Sequence, residues 1–277
     1  MEILVCVKQV PDDSVEVHLT AEGKPDLANI TPVVNAFDTY ALEMAARLKE
    51  AGEGEITVLC IGGEEARNSL KNCLAVGADH AYLVRDDRFD GSDSRGISHI
   101  LMCAAKKIEE DTGKKFDLIF CGKEATDAAL GQVGAELSEL LGTGVITNVI
   151  GVEFEEGQVC AKQETEEGYR LIETASPCVL TVTKPDYDPR YPTIKNKMAA
   201  RKKPIGTIKA EDLSMLELEK TGEDGAFVKT LKLYEPPKKE AGIKIQEETA
   251  QDSAFKAVAM MADARSEERR VGKECRL

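Results

Sequence analysis

The sequence predicts an α/β protein: a parallel sheet with helices on both faces, followed by a C-terminal arm. Two observations carry this reading. Short, nearly continuous apolar runs recur at residues 2–10, 55–62, 80–85 and 116–121, as strands buried on both faces require. Between them lie stretches whose apolar residues repeat at helical spacing, so strands and helices alternate as in successive βαβ units. In such sheets ligands sit at the carboxyl ends of the strands.

The first strand is EILVCVKQV (2–10), followed by an irregular or hairpin excursion over 15–26. Asn35 is a good N-cap for a helix over 36–51, and Asp38, three residues on, can answer it as in a capping box. That helix carries Phe37, Tyr40, Ala41, Met44, Ala45 and Leu48 on one face. EITVLCIG (55–62) is the second strand, 64–76 a helix closed by Gly77, and 80–85 the third strand. The polar loop DDRFDGSDS (86–94) leads to a helix over 97–110.

Residues 116–141, FDLIFCGKEATDAALGQVGAELSELL, organise the rest. A strand turns at Gly122, and small residues (Ala125, Ala128, Ala129, Gly131) lead into a helix with Val133, Leu137, Leu140 and Leu141 on one face. The first turn of such a helix aims unpaired N–H groups at one point, where the dipole favours an anion. The stretch matches neither GxGxxG nor GxxxxGK[ST]. The exits at 6–8, 61–63, 86–94 and 122–131 are expected to face one crevice.

Residues 145–152 continue as a fifth strand, 158–164 and 169–174 as a polar hairpin, and 176–183 as a last buried strand. Arg190, Lys195, Lys197, Arg201, Lys202 and Lys203 then crowd into one segment of an otherwise acidic chain. Ile194 and Met198 stand among them, a combination that marks a docking segment. Residues 206–264 are mostly charged, with one helix-like end at 249–262, and read as an arm that needs a partner surface.

The net charge of −14 argues against nucleic acid and anionic membrane as partners. No apolar run is long enough for membrane insertion, and MEILVCVKQVPDD lacks the features of a signal peptide, so a cytoplasmic location is expected. Eight cysteines without a CxxC pair read as free thiols and speak against a metal or cluster site. His18, His80 and His99 are scattered. No nucleophile–base pair stands out, so no catalytic residue is expected.

On these residues the chain resembles the β subunit of electron-transfer flavoproteins. The matching pieces are LVCVKQVPD (4–12), NAFDTYALEMAARLKE (35–50), CLAVGAD (73–79) and CGKEATDAALGQVGAELSELLG (121–142). PCVLTV (177–182) and RYPTIKNKMAARKKPI (190–205) follow, all in family order over residues 1–210. The resemblance implies an adenine-nucleotide-binding, Rossmann-like domain in a heterodimer with an FAD-carrying α subunit. Simple members hold AMP in the β subunit. Members from anaerobes can hold a second FAD there and split electron pairs from NADH between two acceptors.

By motif match, the nucleotide contacts fall on Cys6, on Asn35, Ala36, Phe37 and Asp38, and on Ile61. They continue along the loop Gly122, Lys123, Glu124, Ala125, Thr126, Asp127, Ala128, Ala129, Leu130, Gly131, Gln132 and Val133. Residues 190–201 resemble the loop that docks onto acyl-CoA dehydrogenases, with Ile194 at the apolar anchor position and Met198 and Arg201 beside it. The organisation implied is a nucleotide-binding domain over 1–210 with its docking loop at 190–205, then an arm over 211–264 that packs on the α subunit. The last residues, RSEERRVGKECRL (265–277), fit nothing in the family and read as a non-native tail.

LVRDDRFDGSDS (83–94) resembles the longer loop of bifurcating members and favours FAD over AMP in the β site. TDAALGQVG (126–134) departs from their IDGDTAQVG, Ile97 replaces a common Thr, and Gln163 stands where an Arg is usual, so AMP stays as the alternative. Two other readings stay open on the residues themselves. One is an ATP-hydrolysing or adenylating enzyme using Lys123 and Asp127. The other is a nucleotide-binding module without a redox role.

Overall fold

The computed structural model describes residues 1–237 and 242–274, with side chains through Asp263. Met1–Leu233 form one compact unit and Tyr234–Leu277 a second.

The first unit is built on a sheet of nine strands. In chain order they are β1 (Glu2–Val7), β4 (Glu55–Ile61), β5 (His80–Val84), β6 (Leu118–Gly122), β7 (Gly144–Glu155), β8 (Gln158–Thr165), β9 (Gly168–Ala175), β10 (Cys178–Val182) and β11 (Gly206–Ile208). Across the sheet they run β11-β5-β4-β1-β6-β10-β7-β8-β9. All pairings from β11 to β7 are parallel, and the hairpin β8–β9 continues the sheet antiparallel. The predicted alternation of strands and helices, and its parallel sheet, are therefore present.

Alternation along the strands divides the core into two layers. Ile3, Val5, Val7, Ile56, Val58, Leu118, Phe120, Cys178 and Leu180 face one side, against α1 (Ala36–Ala51) and α2 (Ala66–Val76). Leu4, Cys6, Leu59, Ile119, Cys121 and Val179 face the other, against α3 (Ser94–Thr112) and α4 (Val133–Leu141). This is why the strands read as unbroken apolar runs: neither face meets water. The sheet starts at its centre with β1, grows through β4 and β5, and then returns to the opposite side of β1 for β6. The crevice beside β1 is thus the topological switch point, where parallel sheets open to ligands.

Several local expectations are corrected. The run 2–10 does not form one strand. The Lys8 N–H turns to the Asp38 carboxylate at 2.7 Å, which ends β1. β2 (Gln9–Pro11) then pairs antiparallel with β3 (Pro32–Val34) in a separate ribbon. Asn35 makes no capping hydrogen bond to α1, so the expected capping box is absent. The segment expected to dock a partner is a helix, α5 (Ile194–Lys202), instead of a loop. Its start is capped by the Thr193 hydroxyl, which accepts the Asn196 N–H at 3.1 Å. Its last carbonyls, Ala200 and Arg201, accept from the Lys71 ammonium of α2 at 3.2 Å. The cap and that cation supply what the apolar pattern lacks.

Beyond β11 the chain stays on the first unit as far as Leu233. There the Glu217 N–H donates to His99 at 3.0 Å, Gly222 N–H to Ser92 at 2.7 Å, and Phe227 N–H to Asp93 at 2.7 Å. The short helix α6 (Gly222–Gly225) belongs to this stretch. The second unit carries α7 (Ala250–Glu274), which displays Phe255, Val258 and Met261 to solvent. The side chains of the expected tail, 265–277, lie outside the described residues, as does the backbone of 275–277.

Candidate nucleotide-binding site

A pocket of about 970 Å³, counted with its solvent-open mouth, lies over the carboxyl ends of β1, β4 and β6. Cys6, Val7 and Lys8 end β1, Ile61 ends β4, and Cys121 and Gly122 end β6. The fourth wall is the start of α3, with Ser92, Asp93, Ser94, Ile97 and Leu101. Four strand exits therefore do meet in one crevice.

The floor is fixed by Asp38. Its carboxylate accepts the N–H of Lys8 at 2.7 Å and that of Gly122 at 3.0 Å, so one side chain of α1 joins the exits of β1 and β6. Burial pushes its pKa up to about 7, against the pull of those two N–H groups, the Asn35 amide and the Lys8 ammonium. Beside it lie the buried thiols of Cys6 and Cys121. The Cys121 thiol and then burial push Cys6 well above its ordinary range, so it is a neutral, packed group and not a thiolate.

Asn35 works on the wall above. Its amide nitrogen donates to the Glu124 carbonyl at 2.9 Å, and its amide oxygen accepts the Thr126 N–H at 3.0 Å. Asn35 is buried, and these two bonds hold the loop as a backbone partner would. The loop then turns tightly: the N–H groups of Ala128 and Ala129 both donate to the Ala125 carbonyl. Ala129 at φ 51° and Gly131 at φ 64° swing the chain through left-handed conformations into α4. No side chain caps α4. Its N-terminal residues Gln132 and Val133 line the pocket, so the uncapped end of the helix meets that space.

Asp93 caps α3 by accepting the Gly96 N–H at 3.0 Å. Burial raises its pKa, but the amides of Gly96, Phe227 and Val228 outweigh that and keep it below its ordinary value. Ser94 donates to Gln132 at 2.9 Å, which ties α3 to the start of α4. Ile61, Ile97, Leu101, Leu130 and Val133 give the pocket its apolar surfaces.

Among the expected contact residues, Cys6, Asn35, Asp38, Ile61, Gly122, Lys123, Glu124, Ala125, Ala128, Leu130, Gly131, Gln132 and Val133 line this pocket. Ala36, Phe37, Thr126, Asp127 and Ala129 stand behind or beside it. Lys123 lies 5.0 Å from the centre of the Phe37 ring and 3.5 Å from Glu124. Asp127 receives the ammonium of Lys8 at 2.7 and 2.8 Å. Lys8, Ser92, Asp93, Ser94 and Leu101 were not among the expected contacts, although the exits 6–8 and 86–94 pointed to most of them. Gln163 is absent from the lining and donates to the Thr147 carbonyl at 2.9 Å. Ile194 and Met198 stand exposed on α5 with Tyr191 ahead of them, and Arg201 is exposed in its last turn.

A parallel sheet open at its switch point, with an uncapped helix end in the crevice, is the architecture of the nucleotide-binding α/β proteins. Comparison with known sequences narrows this. The electron transfer flavoprotein domain matches residues 29–213. The chain is 37% identical over 264 residues to the electron transfer flavoprotein subunit beta of Megasphaera elsdenii, covering 92% of this chain and 95% of that one. It is 34% identical to the caffeyl-CoA reductase-Etf complex subunit CarD of Acetobacterium woodii, covering 95% of this chain and 98% of that one. It is 33% identical to the acryloyl-CoA reductase electron transfer subunit gamma of Anaerotignum propionicum, covering 89% and 92%. The chain belongs to the electron-transfer flavoprotein family. Among the described residues no helix is long and apolar enough to cross a membrane.

Proposed function

We propose that this chain is the β subunit of a two-subunit electron-transfer flavoprotein and that its switch-point pocket holds an adenine nucleotide, FAD in preference to AMP. The observation that carries the reading is the uncapped N-terminus of α4 in a crevice whose loop is clamped by Asn35 and Asp38. The donor set fits a phosphate: backbone N–H groups at a helix end, approached through Gly131 and small residues. The apolar surfaces of Ile61, Ile97 and Leu130 suit an aromatic ring system. When bound, FAD supplies the capacity to take up and pass on electrons.

The residues of this chain bind and orient. Asp38 and Asn35 fix the backbone that meets the phosphate, and the start of α3 shields the opposite wall. The heterodimeric partner is an α subunit with its own FAD. The redox partner is an acyl-CoA dehydrogenase or a related CoA reductase, as the caffeyl-CoA reductase and acryloyl-CoA reductase relatives suggest, docked on α5. The hydrolase reading needs Lys123 and Asp127 on one ligand, and their side chains are engaged in different places.

Co-expression with the α subunit tests the proposal. A yellow heterodimer with two flavins supports FAD in the β site and electron bifurcation. One flavin plus AMP keeps the carrier role and removes bifurcation. A colourless chain that hydrolyses ATP would overturn both.

A further inference from the structure

Lys8 lies outside the contacts that the motif match implies, and it changes the site's electrostatics. The pocket is lined by three acidic side chains, Asp38, Asp93 and Glu124, the first of them raised to about 7 by burial, and by two ammonium groups, Lys8 and Lys123. Lys123 is engaged by Glu124 and lies over the Phe37 ring. That leaves Lys8 as the cation whose partner stands outside the lining: Asp127, on the loop that leads to α4.

The pair is easily exchanged. The Lys8 and Asp127 side chains are 46% and 30% exposed, and ion pairs of that kind contribute about 1 kcal/mol or less. The loop does not depend on it, because Asn35 holds the backbone on both sides of Ala125. Lys8 is also well anchored at its own backbone, through the bond to Asp38 at the end of β1. A rigid base, a long side chain and a dispensable partner suit a cation that transfers from carboxylate to ligand. A phosphate in a pocket lined by acidic side chains needs such a counter-charge beyond the neutral N–H donors of α4.

We propose that Lys8 is a phosphate-binding residue of this site, held by Asp127 until it exchanges that carboxylate for the phosphate group of the bound nucleotide. The proposal rests on the nucleotide-site reading above. It adds a ligand-contacting residue and assigns Asp127 a competing role. Lys8 then selects nucleotides over nucleosides.

The test uses the full chain co-expressed with its α subunit and depleted of nucleotide in the β site, with AMP and adenosine as probes in calorimetric titrations. Lys8→Met is expected to weaken AMP about tenfold or more while adenosine changes far less, since a charge-assisted contact to phosphate is lost. Asp127→Asn is expected to hold or raise AMP affinity, because it frees the ammonium. If both substitutions weaken AMP and adenosine alike, the ion pair only braces the loop and the proposal fails while the nucleotide reading survives. If the unsubstituted complex binds neither AMP nor FAD in the β subunit, the nucleotide reading itself fails, and the proposal with it. Lys8→Arg distinguishes charge from folding: retained AMP affinity beside the loss in Lys8→Met supports the contact, and equal loss in both counts against it.

Discussion

The carboxylate of Asp38 lies 3.0 Å from the amide nitrogen of Gly122, and a Cβ on Gly122 would fall 2.3 Å from that same carboxylate and 2.7 Å from Cβ of Phe37. The exit of β6 is therefore pressed onto the start of α1 with no room for a side chain. The contact explains Gly122 by close approach and not by an unusual φ. Gly122→Ala is expected to force the two elements apart and to cost about 1–3 kcal/mol of stability, as overpacking of a closed site does. Thermal or urea unfolding of the purified complex measures it. Stability equal to that of the unsubstituted protein would mean that the junction opens freely.

The same carboxylate gives a pH prediction. Asp38 is raised from its ordinary value of 3.8 to about 7, with burial as the largest cause. Across that window the folded chain holds a proton that the unfolded chain has released. Its contribution to stability is thus full below the ordinary value and is lost as pH rises through about 7, with a slope of at most about 1.4 kcal/mol per pH unit. Asp38→Asn removes the slope but leaves one of the two N–H groups facing a donor. The difference in unfolding free energy between the unsubstituted protein and Asp38→Asn, followed from acid to neutral pH, should therefore shrink as pH rises. Parallel curves would show that Asp38 ionises in the fold as readily as outside it.

These two residues also show what could be read in advance. Gly122 was legible as a turn after an apolar run, and Asp38 as a polar residue in the first turn of a helix. Their meeting was not, because no local pattern records which distant backbone a buried carboxylate will accept. Asn35 makes the same point: its N-cap spacing is genuine, but its amide serves Glu124 and Thr126 across the crevice. The strands were legible because both faces are covered, and α1 because its apolar face repeats. Lys8 hid inside an apolar run that looked like one strand, although its N–H is where that strand ends. Helix α5 hid because it offers few apolar residues and takes its stability from Thr193 and Lys71.

A second buried carboxylate, Glu43 on α1, holds Arg190, at the base of the proposed docking segment. It accepts the backbone N–H of Arg190 at 3.1 Å and its Nε at 2.7 Å, and it also receives Arg47. Glu50 takes the outer edge of the same guanidinium. Burial is the largest single influence on Glu43 and raises its pKa, but Arg190 and Arg47 together outweigh it and hold the carboxyl below its ordinary value. Arg190→Met leaves Glu43 with Arg47 alone. The expected loss is about 1–3 kcal/mol, less than for a fully buried pair because a third of Arg190 meets solvent. Limited proteolysis should then cut faster after Lys195 and Lys197. Arg190→Lys should restore the loss only in part, since an ammonium cannot span Glu43 and Glu50 as the fork does. Unchanged proteolysis in Arg190→Met would reject Glu43 as the anchor.

The face that this anchor presents leads to the last prediction. Ile194 is 81% exposed, with Tyr191 at 92% and Met198 at 61% nearby. Two large apolar side chains in water on a helix pinned at both ends, with Tyr191 just ahead of it, form a patch that rewards burial by a partner, and not part of the core. Ile194→Ala removes apolar area there without touching the pocket, α1 or the anchor. Flavin and nucleotide content should stay unchanged, and so should the unfolding temperature. Electron transfer to the proposed dehydrogenase partner should need a higher concentration of that partner: KM should rise roughly tenfold with little change in kcat, the mark of lost binding. A fall in kcat at unchanged KM would place Ile194 in the path of the electrons and not in the dock. No change in either would move the docking surface away from α5, with the exposed hairpin residues Tyr169 and Leu171 as the next surface to substitute.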